Sequence, residues 1–141
     1  MRTSHPLHVS MLVVVAVGGA LGAGLRYGLS LAFPDATNGF PWTIFAINVV
    51  GCFLLALLPA SAAVRRHPPL PPLLGTGVLG GFTTLSTYSE QTRALVASDH
   101  VLTAAAYVIG TLAACLVAVL AADRFTTPAT RSEFEAEEGD L

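Results

Sequence analysis

The residues best equipped for chemistry lie in one uncharged stretch, residues 75–89, which holds four glycines, four threonines and two serines. Its centre reads Gly80-Gly81-Phe82-Thr83-Thr84-Leu85-Ser86-Thr87-Tyr88. Adjacent glycines followed by paired threonines predict an interruption in an otherwise apolar helix. Backbone freed at such a break is tolerated at membrane depth only where protein or a water-filled path satisfies it. The stretch therefore predicts an ion site built on a broken helix.

A second set of polar residues lies within apolar runs, where such groups are functional candidates by default. Asn48 sits mid-run in Ile47-Asn48-Val49-Val50-Gly51, where its amide could serve an ion or fix helix packing. Tyr107, Thr111 and Cys115 recur every four residues and share one helical face. The Tyr and Thr hydroxyls are donors and the thiol a weak one. Thr111 could instead bond its own backbone, and Tyr107 could belong to an interfacial belt. Arg26 could snorkel to the interface or draw an anion towards a vestibule. Cys52, alone in its apolar run, reads as a small buried hydrophobe.

The elements that must position these groups are membrane helices. The chain is 53% hydrophobic and 11% charged over 141 residues, with a mean hydropathy of +0.67. About a quarter of a soluble domain is charged, so this chain cannot cover a globule with polar surface. Four uncharged stretches predict an all-α membrane bundle with spans at about residues 9–33, 42–64, 70–96 and 101–122. Residues 1–124 are expected to form one membrane bundle, and the acidic segment 125–141 reads as a disordered tail. A signal peptide at the N-terminus is disfavoured, because cleavage near residues 20–23 would leave a chain starting inside an apolar segment.

All seven basic residues are arginines. With four spans, Arg2, Arg65, Arg66, Arg124 and Arg131 share one side, while Arg26 and Arg93 approach the other. The positive-inside rule places both termini in the cytoplasm. Gly18/Gly22, Gly24/Gly28, Ala56/Ala60 and Gly77/Gly81 have the spacing that lets membrane helices approach closely. No catalytic triad, metal-ligand cluster or phosphate loop is visible, so an enzyme is not expected. Nothing suggests nucleic-acid binding.

Three of these stretches resemble the Fluc (CrcB) fluoride ion channel family. Residues 18–27, Gly-Gly-Ala-Leu-Gly-Ala-Gly-Leu-Arg-Tyr, are similar to its first-helix signature, and Asn48-Val49-Val50-Gly51 to its second-helix element. Residues 80–88 resemble its third-helix break, and the Tyr107–Thr111–Cys115 series falls on its fourth-helix polar track. The resemblance implies a passive fluoride-selective channel of the cell membrane that lowers fluoride toxicity, made of two antiparallel four-helix subunits. It also implies a structural, untransported sodium ion at the dimer centre, held by the carbonyls of Gly80 and Thr83. Asn48, Leu85, Tyr88, Tyr107, Thr111 and Cys115 would line the fluoride pore, with Arg26 near the vestibule.

The chain departs from the family pattern at four places. Leu85 and Tyr88 stand where the family has two phenylalanines, Thr43-Ile44 stands where Gly-Thr is usual, and Gln91 stands where glutamate is common. The partner is a second copy or a homologous subunit. Five arginines against two favour fixed orientation, hence a heterodimer with an oppositely inserted homologue and one degraded pore. Two other functions fit four apolar helices. A proton-coupled small multidrug exporter would need an essential membrane acid, for which Glu90 is the candidate. A non-conducting assembly subunit would need none of the polar track.

Overall fold

The computed structural model describes residues 6–127 and Ser132. Arg2, Arg131 and most of the acidic tail lie outside the described residues. Helix α1 covers Pro6–Ala32, and a turn at residues 37–39, with Asn38 at φ +61°, leads to α2 at Trp42–Leu57. Pro41 precedes α2, and Asp35 Oδ1 accepts the Thr43 N–H at 3.0 Å, satisfying one of the orphan donors of the first turn. A 3₁₀ turn, Leu58–Ala60, extends α2, and the short α3, Ala62–Arg66, follows with Ser61 as its N-cap.

The next segment is built in pieces. A π-helical run over Pro72–Leu79 passes directly into α4, Gly80–Phe82. Thr83 (φ −75°, ψ 156°) and Thr84 (φ −150°, ψ 122°) are extended, and α5 then runs Leu85–Ala97. A short connection at residues 98–100 leads to α6, Val101–Asp123. No side chain caps α6, although Ser98-Asp99-His100 has the composition of a cap.

Among the described residues, three helical stretches, Ser10–Ala32, Trp42–Ala60 and Val101–Asp123, are long and apolar enough to cross a membrane. The segment from Pro72 to Ala97 is not a fourth helix of that kind. It is interrupted at Thr83–Thr84, and α5 carries Ser86, Thr87, Ser89, Glu90, Gln91, Thr92 and Arg93 in succession with Tyr88.

Glycines decide how α1 meets the interrupted segment. A Cβ on Gly22 would lie 2.0 Å from the Val78 carbonyl oxygen, and one on Gly81 would lie 2.3 Å from that of Gly19. Gly18 is similarly confined, 2.6 Å from the Leu73 oxygen. Close backbone approach of this kind supplies van der Waals contact where lipid removes the hydrophobic drive. Gly24 and Gly28 differ: nothing lies within 4 Å of a Cβ at either. Small-residue spacing thus marks a contact inside the described chain at Gly18/Gly22 and Gly77/Gly81, but not at Gly24/Gly28.

Helix α2 packs along α6, and α5 closes against α6. One core cluster joins Ile44 and Ile47 to Phe82; another joins Leu95, Ala104 and Tyr107. Tyr88 packs against both, so it links the break to the α5–α6 interface. The outward faces remain apolar: Leu102, Leu112, Val117 and Leu21 are all more than half exposed. Exposed apolar area on this scale suits lipid or a partner better than water.

Candidate functional site

The site begins with Asn48. Its Oδ1 accepts the Thr84 N–H at 2.9 Å, and its Nδ2 donates to the Thr84 carbonyl at 3.2 Å. One amide therefore grips both backbone groups of an extended residue 36 positions away. Gly51, one turn along α2, makes the approach possible, since a Cβ there would sit 2.3 Å from Thr83 Cγ2. Asn48 thus does hold helices together, but through the break. The second Nδ2 hydrogen is left over, because the amide carries two donors and one is spent on Thr84.

Thr84 was not singled out from sequence, and it organises the rest. Its Oγ1 accepts the Thr87 N–H at 3.1 Å, capping α5, and the same hydroxyl reaches Thr87 Oγ1 and Ser86 Oγ. Such caps contribute about 1 kcal/mol. The pair of grips has a consequence for two carbonyls. In a continuous helix the Thr84 N–H would serve Gly80 and the Thr87 N–H would serve Thr83. Both donors are diverted to side-chain oxygens. The Gly80 and Thr83 carbonyls are therefore deprived of their helical partners, while the Thr83 hydroxyl is turned back onto the Leu79 carbonyl at 3.0 Å. Carbonyl oxygens without donors are the ligand type a hard cation takes, so the residues present fit the sodium ion that the resemblance implies.

Arg26 reaches the same region. Its Nε donates to the Gly81 carbonyl at 3.3 Å, tying α1 to the residue before Phe82. The side chain is half-buried against the break and does not simply snorkel outward.

Beyond Asn48 opens a cleft of about 280 Å³ lined by Asn48, Cys52, Thr83, Thr84, Leu85, Tyr88, Thr111, Leu112 and Cys115. Six of the predicted ion-site residues converge here: Asn48, Thr83, Leu85, Tyr88, Thr111 and Cys115. Tyr107, Arg26 and Gly80 are not on its wall. Leu85 is 75% exposed and presents an aliphatic surface where a ring is usual in the family. Tyr88, also on the cleft wall, turns its hydroxyl to the Val108 carbonyl at 3.1 Å, so that donor is spent.

Thr111 is the most telling residue. It is 5% exposed, and its Oγ1 is fully buried with no hydrogen-bond partner. It does not bond its own helix, which was the alternative left open by sequence. A buried polar group without a partner costs about 1–3 kcal/mol, and such exceptions in native structures call for a specific explanation, an unfilled ligand position among them.

Tyr107 is wholly buried, at 0% exposure, which removes it from any interfacial belt. Its hydroxyl donates to Gln91 Oε1 at 2.8 Å, its ring meets Phe40 edge-on at 5.4 Å, and it lies 5.0 Å from Tyr88. It supports Tyr88 from behind. Gln91 entered the sequence reading only as a departure from a pattern; here it orients Tyr107. Thr43 Oγ1, at the other departure, donates to the Phe33 carbonyl at 2.6 Å, and Ile44 is buried in the core against Phe82. Neither touches the cleft. Cys52 differs from its expected place: it is half-buried on the cleft wall, one turn after Asn48. Spacing from Asn48 on a helix was the signal that could have found it.

Glu90 is bound to Arg93 on its own helix through two contacts, 2.6 and 2.8 Å, with both side chains more than 60% exposed.

Comparison with known proteins bears on what this arrangement serves. The family model "CrcB-like protein, Camphor Resistance (CrcB)" matches residues 13–122. Fluoride-specific ion channel FluC 1 of Streptomyces coelicolor is 43% identical over 120 residues, covering 84% of this chain and 75% of that protein. FluC 2 of Nocardia farcinica is 41% identical over 131 residues, covering 89% and 94%. The fluoride-specific channel FluC of Paracoccus denitrificans is 42% identical over 107 residues, covering 76% and 86%. The match takes in most of α1, all of α2, the interrupted segment and nearly all of α6, and the chain belongs to the CrcB family.

Proposed function

We propose that the chain is a subunit of a fluoride-selective passive ion channel that lets fluoride leave the cytoplasm and so lowers its toxicity. The observation that carries this is the cleft lined by Asn48, Tyr88 and Thr111, where one Asn48 amide N–H is unspent and the Thr111 hydroxyl is buried without a partner. The relatives' shared name, fluoride-specific ion channel, supplies the ion. Fluoride is small and strongly hydrated, so a pore must replace its water with donors. The Thr111 hydroxyl, the spare Asn48 N–H and the positive edge of the Tyr88 ring are of that kind. The family is one of ion channels and not of enzymes, and passive flow needs no reaction chemistry.

The Gly80 and Thr83 carbonyls hold a structural sodium ion in this proposal, and Asn48 and Thr84 are the residues that keep those carbonyls free. When bound, the cation supplies positive potential that lowers the cost of an anion nearby. The interrupted segment makes the fourth crossing of the membrane, and the exposed apolar faces meet lipid and an oppositely oriented subunit. The subunit sits in the cell membrane with both termini cytoplasmic. The exporter alternative is disfavoured by Glu90, whose carboxylate is committed to Arg93 instead of standing free within the fold.

Expression in a bacterial strain made fluoride-sensitive by loss of its own fluoride export tests the proposal. Growth in fluoride should be restored by the chain, alone or with an oppositely inserted homologue, and not by Asn48→Ala. Restoration by Asn48→Ala equal to that by the parent, at matched membrane levels, would remove the cleft from the function.

A further inference from the structure

Cys52 and Cys115 are the protein's only cysteines, and both are free. They come from different helices, α2 and α6, which pack along each other, and both belong to the wall of the one cleft. The shared cleft wall and the packing of α2 on α6 bring the two residues into one neighbourhood, close enough for each thiol to influence the other. Cys115 lies one turn beyond Thr111 and Cys52 one turn beyond Asn48, so the thiol pair sits next to both unspent donors of the cleft. Nothing in the proposed passage of fluoride needs two neighbouring sulfurs, since a thiol is a weak donor.

Two sulfurs with no further ligand define a narrow class of guest. Among the described residues no group of three or more His, Cys, Asp or Glu side chains could hold a metal. Zinc, which takes four ligands, is poorly served, and oxygen-seeking cations are not held by sulfur. We propose that Cys52 and Cys115 form a two-thiolate site for a soft, linearly coordinated divalent cation of the Hg²⁺ type, and that filling it closes the cleft to anions. On binding, each thiol gives its proton to water and each sulfur forms one bond to the metal, with no change of oxidation state. Two thiolates and one divalent cation make a neutral bridge, and neutrality matters in an apolar wall where net charge is costly. The bridge would also staple α2 to α6 beside Asn48 and Thr111.

The closing half of this proposal rests on the fluoride reading; the binding half does not. The test uses the full chain, purified and titrated with Hg²⁺ in the presence of excess 2-mercaptoethanol, a one-sulfur competitor. Elemental analysis should find one mercury per chain, with both thiols lost together to a thiol reagent. Cys52→Ala and Cys115→Ala should each lose the metal to the competitor. Two mercury atoms per chain, or metal retained by either single-cysteine variant, would overturn the site. In vesicles, Hg²⁺ should reduce fluoride efflux to that of protein-free vesicles, with recovery on adding a dithiol chelator, while Cys52→Ala keeps its own starting rate in Hg²⁺. Efflux that persists in mercury-loaded parent protein overturns the closure. Absence of any efflux before mercury is added, alongside one tightly held mercury, overturns the fluoride reading and leaves the binding site standing.

Discussion

Thr111 and Asn48 make opposite demands on stability, and that contrast separates function from folding at the scale of the residue. The Thr111 hydroxyl is buried without a partner, so Thr111→Val removes an unsatisfied group at nearly constant shape. Thermal unfolding in detergent should show stability unchanged or raised, by up to about 1–3 kcal/mol, while fluoride flux falls. Lower stability with full flux would make Thr111 a packing residue only. Asn48→Ala strips the partners from both the Thr84 N–H and its carbonyl. It should cost about 1–3 kcal/mol for each group left unpaired in the fold, and flux should be lost with it. Asn48 and Thr111 were legible from sequence because polar groups inside apolar runs are rare enough to stand out, and Tyr88 only through the family resemblance of residues 80–88. Thr84 and Gln91 were not. Their partners, Asn48 and Tyr107, are 36 and 16 residues away, and only the packing of α2 and α6 against the interrupted segment brings them together.

At the scale of the element, α1 and the interrupted segment depend on absent side chains. Gly22→Ala places a methyl 2.0 Å from the Val78 carbonyl oxygen, a backbone atom that cannot step aside. It should lower thermal stability more than any substitution on the outer face of α1. Gly24→Ala meets nothing within 4 Å and gains helix propensity worth up to about 1 kcal/mol, so an isolated subunit should be as stable or more so. Equal destabilisation by the two would refute the packing described for α1. The break itself yields a further expectation. If the Gly80 and Thr83 carbonyls hold a structural sodium ion, replacing sodium by a bulky organic cation should lower the unfolding temperature of the assembled protein. No change on replacement would count against a cation there. The apolar helices were readable from composition alone, whereas the π-helical run over Pro72–Leu79 was not. Its glycines and prolines signal irregular backbone but not which irregular form is used.

The whole molecule leaves large apolar faces on α1 and α6 uncovered, which suits a chain that works beside lipid or another subunit. The charge layout, with Arg65, Arg66 and Arg124 on the proposed cytoplasmic side, predicts a single orientation. Protease or reagent access from each side of native membranes should find the C-terminus on one side only, and mixed access would instead indicate pairing of identical copies inserted both ways. The central claim is narrower: the cleft of Asn48, Tyr88 and Thr111 passes fluoride. Its most direct test is ion efflux from proteoliposomes holding the purified protein, with any oppositely inserted partner, measured side by side for fluoride and chloride. Rapid fluoride loss, negligible chloride loss, and fluoride loss sharply reduced by Thr111→Val are the expected results. Chloride loss as fast as fluoride, or no loss of either ion from vesicles shown to contain folded protein, would contradict it.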